Sequence, residues 1–224
     1  MYVMIFSNQT RKITARKTKE EAQQTRATLM AVAMGLFCEK GLTNTSLTDV
    51  ANAAGMTRGA IYWHFKNKAE LFIAVWDELC HPLSAQLAAS EDENEPDPLG
   101  KLYGFLTEVL HGVLHDELSR QLFSIVLDQE RLGEELQCVQ QHMDSESQRF
   151  SASLHKALQN AVAHGQLPAS LDLARAVSFI RCTMDGYILY LLRFPDMLPE
   201  QQDPRWLLEF IFCSLKNMNK INNI

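Results

Sequence analysis

The residues with the most chemistry to offer are crowded between positions 57 and 68. There Thr57-Arg-Gly-Ala-Ile-Tyr-Trp-His-Phe-Lys-Asn-Lys68 sets three adjacent rings, Tyr62, Trp63 and His64, beside the cations Arg58, Lys66 and Lys68. At helical spacing Ala60, Ile61 and Phe65 take the inward side and Arg58, Gly59, Tyr62, Trp63 and His64 stay largely outside, because one helix cannot bury every side of itself. A short helix that shows water both rings and cations suits a polyanion with edges to read, which is DNA. Gly59 costs a helix about 1 kcal/mol relative to alanine, a penalty that makes sense where something approaches the backbone closely. Lys68 falls in the first turn of the next helix, where the dipole disfavours a cation, unless a phosphate docks on the free N–H groups and turns that end into an anion site.

The elements that must hold this face are legible on either side of it. Ser46 with Asp49 three residues on reads as a helix start, and Leu47, Val50, Ala51 and Ala54 recur at the spacing of one buried face. Gly55 follows the last apolar position, where a left-handed turn ends helices, and Thr57 caps a second helix after only two residues. The spacing therefore predicts a helix-turn-helix. Asn67 and Glu70 cap the helix after it. A buttressing helix runs from near Thr18 or Glu20 to Gly41, with Leu29, Ala33, Leu36 and Phe37 inward. Residues 1–14 lack periodicity and read as a disordered tail or as the product of an upstream start, and Arg11, Lys12, Arg16, Lys17 and Lys19 are placed to touch phosphates or the adjacent minor groove, or else form a solvated charged tail.

The segment from Thr57 to Lys68, with the opening Ala15-Arg-Lys-Thr-Lys-Glu-Glu-Ala-Gln-Gln-Thr-Arg26, resembles the TetR family of bacterial repressors and, within it, the AcrR-like efflux-pump repressors. The resemblance covers residues 15–78 closely, and beyond them rests on helical pattern and length. It implies that Arg58 and Gly59 face bases, while Thr45, Ser46, Thr57, Tyr62, Trp63, His64 and Lys68 mainly hold phosphates.

Charge divides the chain in the same place. Residues 1–68 hold ten Lys/Arg and four Asp/Glu, a net +6; residues 69–224 hold eleven and twenty-three, a net −12, and together these give the −6 of the whole chain. A basic module joined to an acidic remainder fits a DNA reader fused to a domain with another task. The five cysteines are widely spaced and lack paired ligand spacing, as expected of reduced thiols in a cytoplasmic protein. No apolar run reaches the roughly 20 residues of a membrane span and the start does not read as a signal peptide, so no membrane partner is expected. There is no phosphate-binding glycine loop, nucleophile elbow or H-E-x-x-H; Gly55 and Gly59 lack the lysine of a P-loop. His111 and His115 stand at i and i+4 without an identifiable third ligand. Neither catalysis, a cofactor nor a metal is expected.

From residue 69 onward every segment reads as helix: 69–90, then an acidic loop, then 98–114, 116–130, 133–164, 172–194 and 204–218. The last two are apolar on more than one side, through Ile180, Met184, Ile188, Leu191 and Leu207, Leu208, Ile211, Phe212, which means burial or an interface. The resemblance implies the second, a four-helix seam between two copies. It also implies a ligand pocket among the middle helices, for which the polar or soft residues Glu108, Glu130, Gln140, Met143, Asp185 and Tyr187 are the candidates, suited to lipophilic or cationic compounds.

The expected protein is all-α: an N-terminal three-helix helix-turn-helix domain over 15–68, then a helical ligand-binding and dimerisation domain over 69–224. Its expected role is a homodimeric repressor of a multidrug efflux operon that leaves a palindromic double-stranded DNA operator when a small-molecule inducer binds. The alternatives are a regulator of the same fold that activates or senses a metal or oxidant, and an architectural protein that binds DNA without sequence preference.

Overall fold

The computed structural model describes residues 6–127, 136–194 and 203–218. Those residues form helices α1 (Phe6–Lys40), α2 (Leu47–Ala53), α3 (Arg58–His64), α4 (Lys68–Glu91), α5 (Pro98–His115), α6 (Glu117–Leu127), α7 (Gln137–Ala163), α8 (Leu173–Arg193) and α9 (Arg205–Asn217), with no strand among them. The chain divides into two compact units, Met1–Val75 and Trp76–Ile224, within α4.

In the first unit the expected caps and turns are present. The Ser46 hydroxyl accepts from Asp49 N–H at 3.2 Å, and the Asp49 carboxylate accepts from Ser46 N–H at 2.9 Å. Gly55 takes φ +66°, and Met56 N–H and Gly55 N–H donate to the carbonyls of Ala51 and Asn52, satisfying the end of α2. Gly41 turns the chain in the same way after α1, with φ +80°. The core joins Leu29, Ala33 and Phe37 of α1 to Val50, Ala51, Ile61, Phe65 and the first turns of α4, where Phe72 meets Phe37 edge-on at 5.8 Å. Ala69, Leu71, Phe72 and Val75 are all buried, so α4 contributes two turns to this unit before leaving it. The helix start expected near Thr18 or Glu20, after a disordered tail, lies instead at Phe6: no proline or glycine interrupts the chain from there to Gly35, so nothing stops the helix from extending.

In the second unit α5 is the central element and packs against α6, α7, α8 and α9. Leu102, Leu106, Leu110 and Val113 form its inward stripe, against Leu154 and Leu158 of α7 and Ile180, Met184 and Ile188 of α8. Asp97 caps α5, accepting from Gly100 N–H at 2.9 Å, with Pro98 in the first turn, where its missing N–H costs nothing. The acidic loop before it is fastened to α7: buried Asn160 donates to the carbonyls of Ser90 and Asp92, and Lys156 pairs with Glu93. In α8 and α9 the core takes the residues whose apolar spacing left burial and interface open. Ile180, Met184, Ile188, Leu191, Leu207, Leu208, Ile211 and Phe212 all lie in this unit's own core, while the apolar groups left outside are Leu189, Tyr190, Phe194, Trp206 and Phe210. No helix of the described residues is long and apolar enough to cross a membrane.

Candidate nucleic-acid interface and ligand cavity

Helix α3 is seated from beneath by Ile61 and Phe65, both essentially inaccessible, with Phe65 ending the helix in an extended conformation. Thr57 caps it, accepting from Ala60 N–H at 3.2 Å. That seating turns Tyr62 (45% exposed) and Trp63 (73% exposed) to solvent, and the Arg58 guanidinium lies 5.3 Å from the Tyr62 ring centre. His64 is half-buried with its ring edge-on to Trp63 at 4.5 Å; desolvation, then the nearby Arg26 charge, hold its pKa below the ordinary imidazole value, favouring the neutral ring. A Cβ at Gly59 would meet only the Thr57 hydroxyl, at 3.9 Å, so nothing inside the fold demands glycine there. The side left open by the missing methyl faces outward.

Lys68 opens α4, and its ammonium donates to the Thr43 carbonyl at 2.7 Å, which fixes a cation beside the turn between α1 and α2. Asn67 and Glu70 cap that end, the Asn67 side chain accepting from Glu70 N–H and the Glu70 carboxylate from Lys66 N–H. Ser46 is exposed at the start of α2. Thr45 departs from expectation. It is 2% exposed and its hydroxyl donates to the Gly41 carbonyl at 2.9 Å, so its side chain closes the end of α1 and is not offered to a phosphate.

The second unit contains a cavity of about 460 Å³, partly open to solvent and lined by α4 to α8. Its walls are mainly apolar and aromatic, with Trp76 edge-on to Phe123 at 5.4 Å and Phe105 tilted against Phe150 at 5.6 Å. The volume falls in the range of small-molecule sites. Of the six residues expected to line it, Met143 and Asp185 do. Glu108 and Gln140 are exposed and outside the lining, and Glu130 lies outside the described residues. Tyr187 also falls outside it, on the far side of α8: its ring is edge-on to Trp206 at 5.9 Å, and burial of the hydroxyl raises its pKa. Helical position explains the outcome, since Arg181, Met184, Asp185 and Ile188 share the cavity face of α8 and Tyr187 does not. Arg181, Trp76, Phe105, Phe123 and Phe150 also line the cavity and were not among the candidates; for the rings, their apolar bulk on the middle helices is the sequence signal.

Cys80 also lines the cavity, where burial, then the Asp77 charge, push its thiol up to about 12. A thiol so reluctant to ionise is a poor redox sensor. The rings of His111 and His115 are 4.5 Å apart, yet no group of three or more His, Cys, Asp or Glu suited to a metal occurs among the described residues.

Comparison with known proteins assigns both units. Residues 29–75 match the family described as "Bacterial regulatory proteins, tetR family", and residues 97–212 match "MAATS-type transcriptional repressor, C-terminal region". The chain is similar to the HTH-type transcriptional regulator TtgR of Pseudomonas putida, 41% identical over 182 residues, 81% of this chain and 86% of that protein. Among solved structures it resembles NalD, the secondary repressor of the MexAB-OprM multidrug efflux pump in Pseudomonas aeruginosa, with TM-score 0.72 and 30% identity over 88% of this chain and 97% of that one. It also resembles SmeT, the repressor of the Stenotrophomonas maltophilia multidrug efflux pump SmeDEF, in its complex with triclosan, with TM-score 0.75 and 25% identity over 85% and 91% of the two chains.

Proposed function

Because the chain belongs to the TetR family of bacterial transcriptional regulators, we propose that it is the dimeric repressor of a multidrug efflux operon, released from its operator by lipophilic or cationic compounds that enter the cavity of the second unit. The observation that carries this reading is the outward face of α3, where Arg58, Tyr62 and Trp63 project from a helix too short to need them for its own packing. Arg58 and the bare backbone at Gly59 reach base edges in the major groove; Ser46, Thr57, Tyr62, Trp63, His64 and Lys68 set the helix on the phosphates. That NalD and SmeT are repressors of multidrug efflux pumps, and that SmeT forms a complex with triclosan, support the choice of operon and of ligand class.

Two copies joined through the exposed apolar groups of α8 and α9 would read two half-sites of a palindrome. An inducer acts by binding more tightly to the conformation whose two heads no longer match the half-site spacing, since a ligand moves a two-state equilibrium only by its differential affinity. Linkage gives the test. If an ethidium-like dye lowers operator affinity tenfold, operator lowers dye affinity tenfold, a coupling of about 1.4 kcal/mol. Titrations of dye with and without operator, corrected for dye bound to the DNA itself, are expected to show that symmetry. Equal dye affinity in both conditions, or no binding across a panel of such compounds, rules out the drug-responsive reading and leaves a DNA-binding protein.

A further inference from the structure

The cavity carries an arginine that no ligand requirement explains at first sight. Arg181 on α8 stacks over the Phe150 ring, its guanidinium carbon 5.3 Å from the ring centre, with its side chain 22% exposed. An arginine has five N–H donors, and each is committed. Nη1 donates to the Ser147 carbonyl and the Ser151 hydroxyl, both at 2.9 Å, and Nη2 to the Ser147 hydroxyl at 3.0 Å and Asp185 Oδ2 at 3.2 Å; Nε adds a bond to the same Oδ2 at 3.3 Å. The cation is thus neutralised by one carboxylate and tied to α7, and it has no donor to spare for a ligand. The same pairing engages Oδ2 of Asp185, so that its charge is spent first on Arg181.

The other charged residues in the lining follow a similar plan with a remainder. Glu146 pairs with Arg149 on α7, and the carboxylates of Glu91 and Asp144 complete the set. Four carboxylates against two guanidiniums leave the lining negative overall, and the Arg181–Asp185 pair decides whether the guanidinium on the aromatic wall meets a ligand compensated or bare.

We propose that the Arg181–Asp185 pair is the charge-selectivity element of this cavity: closed, it cancels the one cation stacked in the aromatic wall, so that the cavity admits uncharged or positively charged aromatic compounds and rejects anions. This rests on the second unit being the ligand sensor. Arg181 is here a positioning residue that acts by holding Asp185 and the Ser147–Ser151 turn of α7. Breaking the pair from either side has opposite consequences. Asp185→Asn leaves a stacked guanidinium with its charge uncompensated; Arg181→Gln leaves a free carboxylate beside the rings.

The test uses the full-length protein and two aromatic dyes of opposite charge, ethidium and 8-anilinonaphthalene-1-sulfonate, with mutual competition to place both in one site. Asp185→Asn is expected to strengthen the sulfonate about tenfold while weakening ethidium, and Arg181→Gln to strengthen ethidium by about the same factor while leaving the sulfonate no tighter. The double variant should return to the parental ranking, as should Arg181→Lys, which keeps the charge and loses the fork. A purely structural role for Arg181 would move both dyes the same way, and that outcome overturns the proposal whether or not melting temperature falls. Parental protein that binds both dyes with a ranking no variant alters overturns it while the sensor reading stands; no dye binding to any of these proteins removes both.

Discussion

Helix α3 and helix α9 both show aromatic groups to solvent, Trp63 at 73% exposure and Phe210 at 68%, yet their chemical surroundings differ. Trp63 lies against His64, in a stretch of chain that also carries Arg58, Lys66 and Lys68, and the unit they belong to is basic. Phe210 meets Trp206 edge-on at 6.1 Å, and the neighbouring helix α8 also exposes Leu189 and Tyr190, on a unit that is acidic overall. Rings beside cations attract a polyanion whose counterions they release, whereas rings beside apolar groups gain only by meeting another apolar surface. Under the proposed function the rings beside cations face DNA and those among apolar groups face a second copy of the chain.

The sharpest way to break that comparison is to change adjacent residues of α9. Ile211 is 1% exposed and Phe210 is not, so Ile211→Glu should bury an unpaired charge at a cost of several kcal/mol and yield unfolded or aggregated protein. Phe210→Glu should instead give a folded monomer, with operator affinity reduced by roughly 10²–10⁴ because the second half-site is no longer tethered to the first. Light scattering with circular dichroism separates the two; a folded dimer from Phe210→Glu would place the seam elsewhere.

On the α3 side, Arg58→Ala is expected to cost about 1–3 kcal/mol of operator binding and to relax preference at one base pair. Lys68→Ala should weaken all DNA sequences alike and make the salt dependence shallower by about one unit of slope, a smaller loss at moderate salt. Binding to a panel of operator variants at several salt concentrations tells them apart, and identical behaviour of the two variants would merge the base-reading and phosphate-holding roles.

The smallest expected effect is acid sensitivity, and it too divides by region. In the first unit the Ser46 hydroxyl, then its N–H, hold the Asp49 carboxyl below the ordinary range. In the second, Gly100 N–H and then Gln166 do so for Asp97, Lys156 does so for Glu93, and the Ser119 hydroxyl does so for Asp116. A carboxylate whose pKa is depressed by folding contributes stability above its unfolded pKa and loses that contribution as pH falls through the folded one, here below the ordinary carboxylate range. Melting temperature should therefore drop between about pH 5 and pH 3, and Asp97→Asn or Asp49→Asn should each flatten part of that limb. An unchanged limb in both variants would show that these caps do not carry it.

Much of the first unit was legible because its determinants are local. The Ser46–Asp49 box, Gly55 and Thr57 each act over three or four residues, and all three sit where their spacing put them. Thr45 was misread for the complementary reason. A hydroxyl at that position serves either a phosphate or the end of α1, and the choice depends on the Gly41 and Leu36 carbonyls, which only the folded turn brings within reach. Helix spans in the second unit were also close, the expected 98–114 and 172–194 corresponding to Pro98–His115 and Leu173–Arg193. Which apolar residues of α8 and α9 turn inward was not, since periodicity identifies stripes without saying what covers them.

By itself the sequence determined the helices, their caps, the glycine turns, the split of charge between a basic head and an acidic body, and the family, because each depends on residues near one another in the chain or on composition. The tertiary structure decided which side of α9 is core, that Tyr187 turns away from the cavity while Arg181 and Phe150 turn into it, and that Asp185 is engaged by Arg181. Those outcomes depend on how five helices rotate about their axes to fill one volume, and a rotation set by packing partners distant along the chain leaves no mark in local spacing.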